Sequence, residues 1–102
     1  MVSIVRGTTP TIQFVFKKFD VADITAAILT VQECGTTVIE RDLTSATVGE
    51  DHISWTLTQT ETLQLTGKVE AECNWLLADG TRGKSQRGTY TIDRNSKEEV
   101  MP

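Results

Sequence analysis

Few side chains in this 102-residue sequence could do chemistry: one histidine, His52, two cysteines, Cys34 and Cys73, and two acids at strand spacing, Glu70 and Glu72. A histidine becomes a metal ligand only beside further His, Cys or carboxylate ligands, and a base only beside a nucleophile and an orienting group. His52 has no such set around it. It follows Glu50-Asp51 in a segment that reads as a turn, so a solvated loop position is expected. No serine lies in a G-x-S-x-G elbow, and no Gly-rich phosphate loop is present. Glu70 and Glu72 alternate with Val69, Ala71 and Cys73, which puts both acids on an exposed strand face rather than in a paired-carboxylate site. Cys73 shares the parity of Val69, Ala71 and Trp75 and reads as a small buried hydrophobe. Cys34 falls at a turn on the opposite parity from Leu29 and Val31, so no Cys34–Cys73 disulfide is expected. These residues describe a non-enzyme with no metal, cofactor or small-molecule substrate.

The elements that must position them are strands. Threonine recurs beside Val, Ile and aromatics, and proline occurs only at positions 10 and 102, a composition that suits pleated, half-exposed segments. Period-two alternation places Ile12, Phe14 and Phe16 on one inward face, behind Pro10, which opens the strand where a missing N–H does least harm. A second strand spans about Thr25 to Glu33 with Ala27, Leu29 and Val31 inward. Cys34-Gly35-Thr36 turns the chain into Val38 to Leu43. Ile53, Trp55 and Leu57 mark another strand, Lys68 to Leu77 the next, and Arg82 to Asp93 the last. Thr58 and Glu61 have capping-box spacing, which predicts a short helical turn near residues 59–64 with Leu63 and Leu65 tucked against the core. A similar turn is expected at Asp20 to Asp23. About seven strands with turn signals recurring about every ten residues predict an all-β, immunoglobulin-like antiparallel β-sandwich, with a small barrel as the competing architecture.

Asp79-Gly80 is the strongest hairpin signal, since both residues tolerate the positive φ of a two-residue type I′ loop. That loop puts Glu72 opposite Arg87 and Val69 beside Tyr90, a register that satisfies charge outside and apolarity inside. It also sets Trp75 opposite Lys84 and Leu77 opposite Arg82, with Leu76 outward. Trp75, Leu76, Leu77, Arg82 and Lys84 thus form the candidate partner-contact patch, apolar on one strand and basic on the other.

Length and composition fit one domain over residues 1–94, followed by a polar tail, 95–102, expected to fray. With 38% hydrophobic and 24% charged residues, the balance is globular. A net charge of −4 with scattered Lys and Arg argues against nucleic acid or an anionic membrane as partner. No apolar run approaches the roughly 20 residues needed to cross a bilayer. The opening residues lack the pattern of a signal peptide, so the chain is expected in the cytoplasm at synthesis.

The order and spacing of Ile4-Val5-Arg6-Gly7-Thr8-Thr9-Pro10-Thr11-Ile12, Val38 to Leu43, Leu57 to Leu63, Lys68-Val69-Glu70 and Asp79-Gly80-Thr81 resembles a family of small structural proteins of bacteriophages and prophages of Gram-positive hosts. Gly83-Lys84-Ser85 departs from the apolar character expected in that strand. The resemblance implies an immunoglobulin-like sandwich with a virion role in the tail, baseplate or head–tail region. It implies partners that are other phage structural subunits or further copies of the chain, with the host cytoplasm as the place of assembly. It carries over no site residues, because its motifs are structural. A carbohydrate- or cell-surface-binding module is the alternative, and it wants several exposed aromatics on one face. A small hydrolase is a third reading, for which no catalytic group is visible.

Overall fold

The computed structural model describes residues 2–102. Among the described residues nine strands form two sheets: β1 (Val2–Val5), β2 (Thr11–Val15), β3 (Ile24–Glu33), β4 (Thr36–Asp42), β5 (Thr47–Val48), β6 (His52–Thr56), β7 (Lys68–Leu77), β8 (Arg82–Lys84) and β9 (Gly88–Asp93). One short helix, α1 (Gln59–Leu63), lies between β6 and β7, and 3-10 turns cover Val21–Asp23 and Leu43–Ser45. The larger sheet runs β1-β9-β7-β3-β4, with β8 beside the far end of β7. The smaller runs β2-β6-β5. In a variable-type immunoglobulin domain, strands C′, C, F and G share one sheet and B, E and D the other. Here β4, β3, β7 and β8–β9 stand in the first set, and β2, β6 and β5 in the second. The chain is therefore an all-β, immunoglobulin-like sandwich.

One pairing departs from the antiparallel expectation. β1 runs parallel to β9, with Val2 opposite Tyr90 and Val5 opposite Asp93. The initial segment is split, β1 joining the larger sheet and β2 the smaller, with Gly7 at φ +81° in the crossing between them.

The core lies where the alternation pattern puts it. Leu29, Ile53, Leu57 and Leu65 lose all solvent contact, and complete burial of such a side chain contributes about 1.5–3 kcal/mol. Trp55 is also fully buried. Its indole N–H donates to the Asp42 carbonyl at 2.9 Å, so the largest core residue leaves no polar atom unmet. Thr58 and Glu61 form the capping box that starts α1, with reciprocal bonds of 3.1 and 2.8 Å. The Asp42 carboxylate caps the Leu43–Ser45 turn. Hydrogen bonds from Thr44, its hydroxyl first, hold that carboxyl below its ordinary value.

The last strand is not continuous. Residues 82–93 split into β8 and β9 around Ser85-Gln86-Arg87. The tail, expected to fray, instead makes contacts. Arg6 pairs with Glu98 at 2.8 Å, Asn95 Nδ2 donates to the Arg6 carbonyl at 3.0 Å, and the Gln59 amide binds both backbone groups of Met101. The Asn95 N–H and, secondarily, the Arg6 charge hold the Glu98 carboxyl below its ordinary value. No helix among the described residues is long and apolar enough to cross a membrane.

Candidate interaction surface

The register of the β7–β8 hairpin decides which side chains share a surface. Leu77 and Thr81 close its loop through a 2.8 Å bond from the Leu77 N–H to the Thr81 carbonyl, leaving three residues, Ala78-Asp79-Gly80, in between. Gly80 N–H bonds back to the Leu77 carbonyl, and Gly80 takes φ +89°. This is the three-residue loop in which a turn is followed by one left-handed residue, not the expected two-residue type I′ loop. Asp79 does not need a positive φ here. Its carboxylate accepts from the Thr81 N–H at 2.8 Å, the main reason its acidity is raised.

The odd residue shifts the tip by one position. Trp75 faces Gly83, Leu76 faces Arg82, and Asn74 faces Lys84. A bulge then restores the expected register. Cys73 N–H donates to the Ser85 hydroxyl at 2.9 Å, and Ser85 N–H to the Cys73 carbonyl at 2.8 Å. Beyond Gln86, Val69 meets Tyr90, and Arg87 reaches Glu72 at 3.3 Å and Glu70 at 3.8 Å, as the charge pattern anticipates.

The candidate patch consequently divides. Trp75 and Leu77 face inward and pack on the core edge. The Trp75 ring lies 5.1 Å from Phe16 and 5.6 Å from Phe19, centre to centre. A Cβ on Gly83 would come within 2.8 Å of the indole, so the residue that breaks the apolar pattern of this strand is the one the indole requires. Leu76, Arg82 and Lys84 remain together on the outer face of the larger sheet. Leu76, 39% exposed, stands with Ile28, 38% exposed, and Ala26, around a shallow hollow that Asn74 and Arg82 complete. Lys84 turns to Glu72 at 3.6 Å. Sequence alternation already puts Ile28 outward, opposite in parity to Ala27 and Leu29. Its place beside Leu76 depends on the β3–β7 pairing, which alternation does not encode.

The reactive residues lie elsewhere and apart. His52 begins β6 instead of lying in the loop. Its ring stacks over Gly49, and Nδ1 is 3.2 Å from the Asp51 carboxylate. Burial pushes the Cys73 thiol up to about 12, and Cys34 is exposed in a separate hairpin. Among the described residues, no three His, Cys, Asp or Glu side chains gather where a metal ion could be held.

The opening segment, β4 and α1 meet through hydrogen bonds and an ion pair. Gly7 N–H donates to the Thr62 hydroxyl at 3.0 Å, and that hydroxyl donates to the Thr8 carbonyl at 2.8 Å. Arg6 donates to the Leu63 carbonyl, and Arg41 pairs with Glu61 at 2.8 Å. Those motif residues knit the opening, β4 and α1 together.

No protein-family model matches the chain, and no curated protein matches it. Among solved structures, CopC from Methylosinus trichosporium OB3b aligns with a TM-score of 0.59 at 12% identity, over 95% of this chain and 89% of that one. At that identity the likeness concerns the fold alone. The V domain of amphioxus IgVJ-C2 aligns with a TM-score of 0.37 at 15% identity, over 90% of this chain and 99% of that one, too low a score to bear on the argument.

Proposed function

We propose that this chain is a non-catalytic structural subunit of a bacteriophage particle, in the tail, baseplate or head–tail region, that joins neighbouring subunits. The resemblance of its opening, α1 turn and hairpin segments to small phage structural proteins supports the particle assignment. The observation that carries the contact is the pair Ile28 and Leu76, apolar and adjacent on the solvent face of the larger sheet, with Arg82 at their edge. Arginine beside a compact apolar group suits a protein interface. The aromatics that a carbohydrate site would need do not share one exposed face, since Trp55 is fully buried and Phe16 is only 7% exposed.

Mass spectrometry of gradient-purified phage particles from the source strain tests the assignment. Peptides of this chain at stoichiometric level are the expected result. Abundant expression with none in the particles would overturn it. Assembly of an Ile28→Ser, Leu76→Ser variant then tests the contact, which is wrong if a folded variant assembles as the parent does.

A further inference from the structure

The two ends of the sandwich are chemically unlike. β2 and β6 are antiparallel, with Val15 opposite His52 and Thr11 opposite Thr56. Phe16 to Phe19 therefore leave one end of this strand pair, while α1, which follows β6, closes the other. At the first end a hollow is lined by Val15, Phe16, Lys17, Lys18, Phe19, Trp75 and Lys84. Its floor is the aromatic cluster, and Val15 on its wall is 48% exposed. Lys17 and Lys18 make no ion pair among the described residues, and no acid lines the hollow, although Asp20 and Asp51 stand at the same end. In a chain of net charge −4, this is a local concentration of positive charge around an apolar floor.

The α1 end presents the complement. Gln59 holds the Met101 backbone at 3.2 and 2.7 Å, while the Met101 and Val100 side chains remain 61% and 54% exposed. Glu99 beside them is 82% exposed. The segment is anchored through its backbone with two apolar side chains turned outward, and beside them the Glu99 carboxylate forms an exposed pair with Lys97 at 3.2 Å, open to exchange for another cation. Methionine adapts to irregular aromatic surfaces, and carboxylate and lysine are complementary in charge.

We infer that the segment Glu99–Met101 of one copy seats in the Lys17, Lys18 and Trp75 hollow of a second copy. The two surfaces lie at opposite ends of one domain, so the contact is intermolecular and heterologous, and it builds a closed ring or an open filament. This contact is independent of the Ile28 and Leu76 face.

Sedimentation velocity on the full chain over a concentration series tests it, with three variants whose folding is checked by thermal melting: Lys17→Glu with Lys18→Glu, Val100→Ser with Met101→Ser, and Ile28→Ser with Leu76→Ser. The parent is expected to associate with rising concentration. The hollow and tail variants should each associate about tenfold more weakly or less. Mixed together, those two should form dimers and stop there, because the mixture retains one intact hollow and one intact tail per pair. A parent that stays monomeric throughout, or association that survives both the hollow and tail changes, overturns the inference. Association abolished only by the Ile28 and Leu76 change would overturn it too, while leaving the outer-face contact standing.

Discussion

The two long hairpins of the larger sheet turn by different means. β3 and β4 are joined by Cys34-Gly35 alone, with Glu33 opposite Thr36 and both loop residues at positive φ, +52° and +79°. That is the signature of the two-residue type I′ loop. β7 and β8 use three residues and need only Gly80 at positive φ. The chain thus places a cysteine where asparagine or glycine is favoured, and uses the favoured Asp-Gly dipeptide in a loop that needs only its glycine. Loop dipeptides indicate that a hairpin exists. The flanking strands settle how many residues close it, and here Trp75 over Gly83 and the Ser85–Cys73 exchange hold the longer loop in register.

Thiol chemistry gives the sharpest contrast between the two. Cys34 should react with a water-soluble alkylating reagent at neutral pH, while Cys73 should react only on unfolding, because its buried thiol is held near 12. Mass analysis with and without denaturant reads this directly. Next in size, Gly83→Val should cost about 2–3 kcal/mol in a urea titration, by driving its Cβ into the Trp75 ring. Ser85→Ala strips a buried N–H of its acceptor and should cost about 1–3 kcal/mol. Equal stability in that variant would mean the bulge is closed by something other than the hydroxyl. Gly80→Ala meets open space but a forbidding φ, so about 1–2 kcal/mol is expected from the backbone alone. The smallest change runs the other way: Cys34→Asn should raise stability by about 0.5 kcal/mol, since asparagine accepts the left-handed region more readily.

Much of this fold was legible residue by residue. Alternation placed Ile12, Leu29, Ile53, Leu57, Val69 and Cys73 in the core, and the Thr58–Glu61 spacing gave α1 its start. The expected pairings of Glu72 with Arg87 and Val69 with Tyr90 hold, because the bulge at Ser85 offsets the extra loop residue. The β8 register was missed because the loop holds three residues and not two, a shift that lasts until the bulge at Ser85. Trp75 and Lys84 were therefore set face to face when Gly83 stands there. The outer-face neighbour Ile28 was out of reach for a related reason: parity gives a side chain's face, not the strand beside it. β1 went unread because four residues carry too little alternation. Its parallel partner lies at the other end of the chain.

That parallel pair has a mechanical consequence. β1 enters the domain at Val2, and β9 leaves it at Asp93, the two strands pointing the same way. Tension drawn between those points pulls the strands past each other along their length, so the ladder bonds share the load instead of opening in turn. The Arg6–Glu98 and Asn95–Arg6 contacts lie just past the ladder and tie the two strands at that end. A domain built this way would resist being stretched between those two points better than being peeled from its β4 edge.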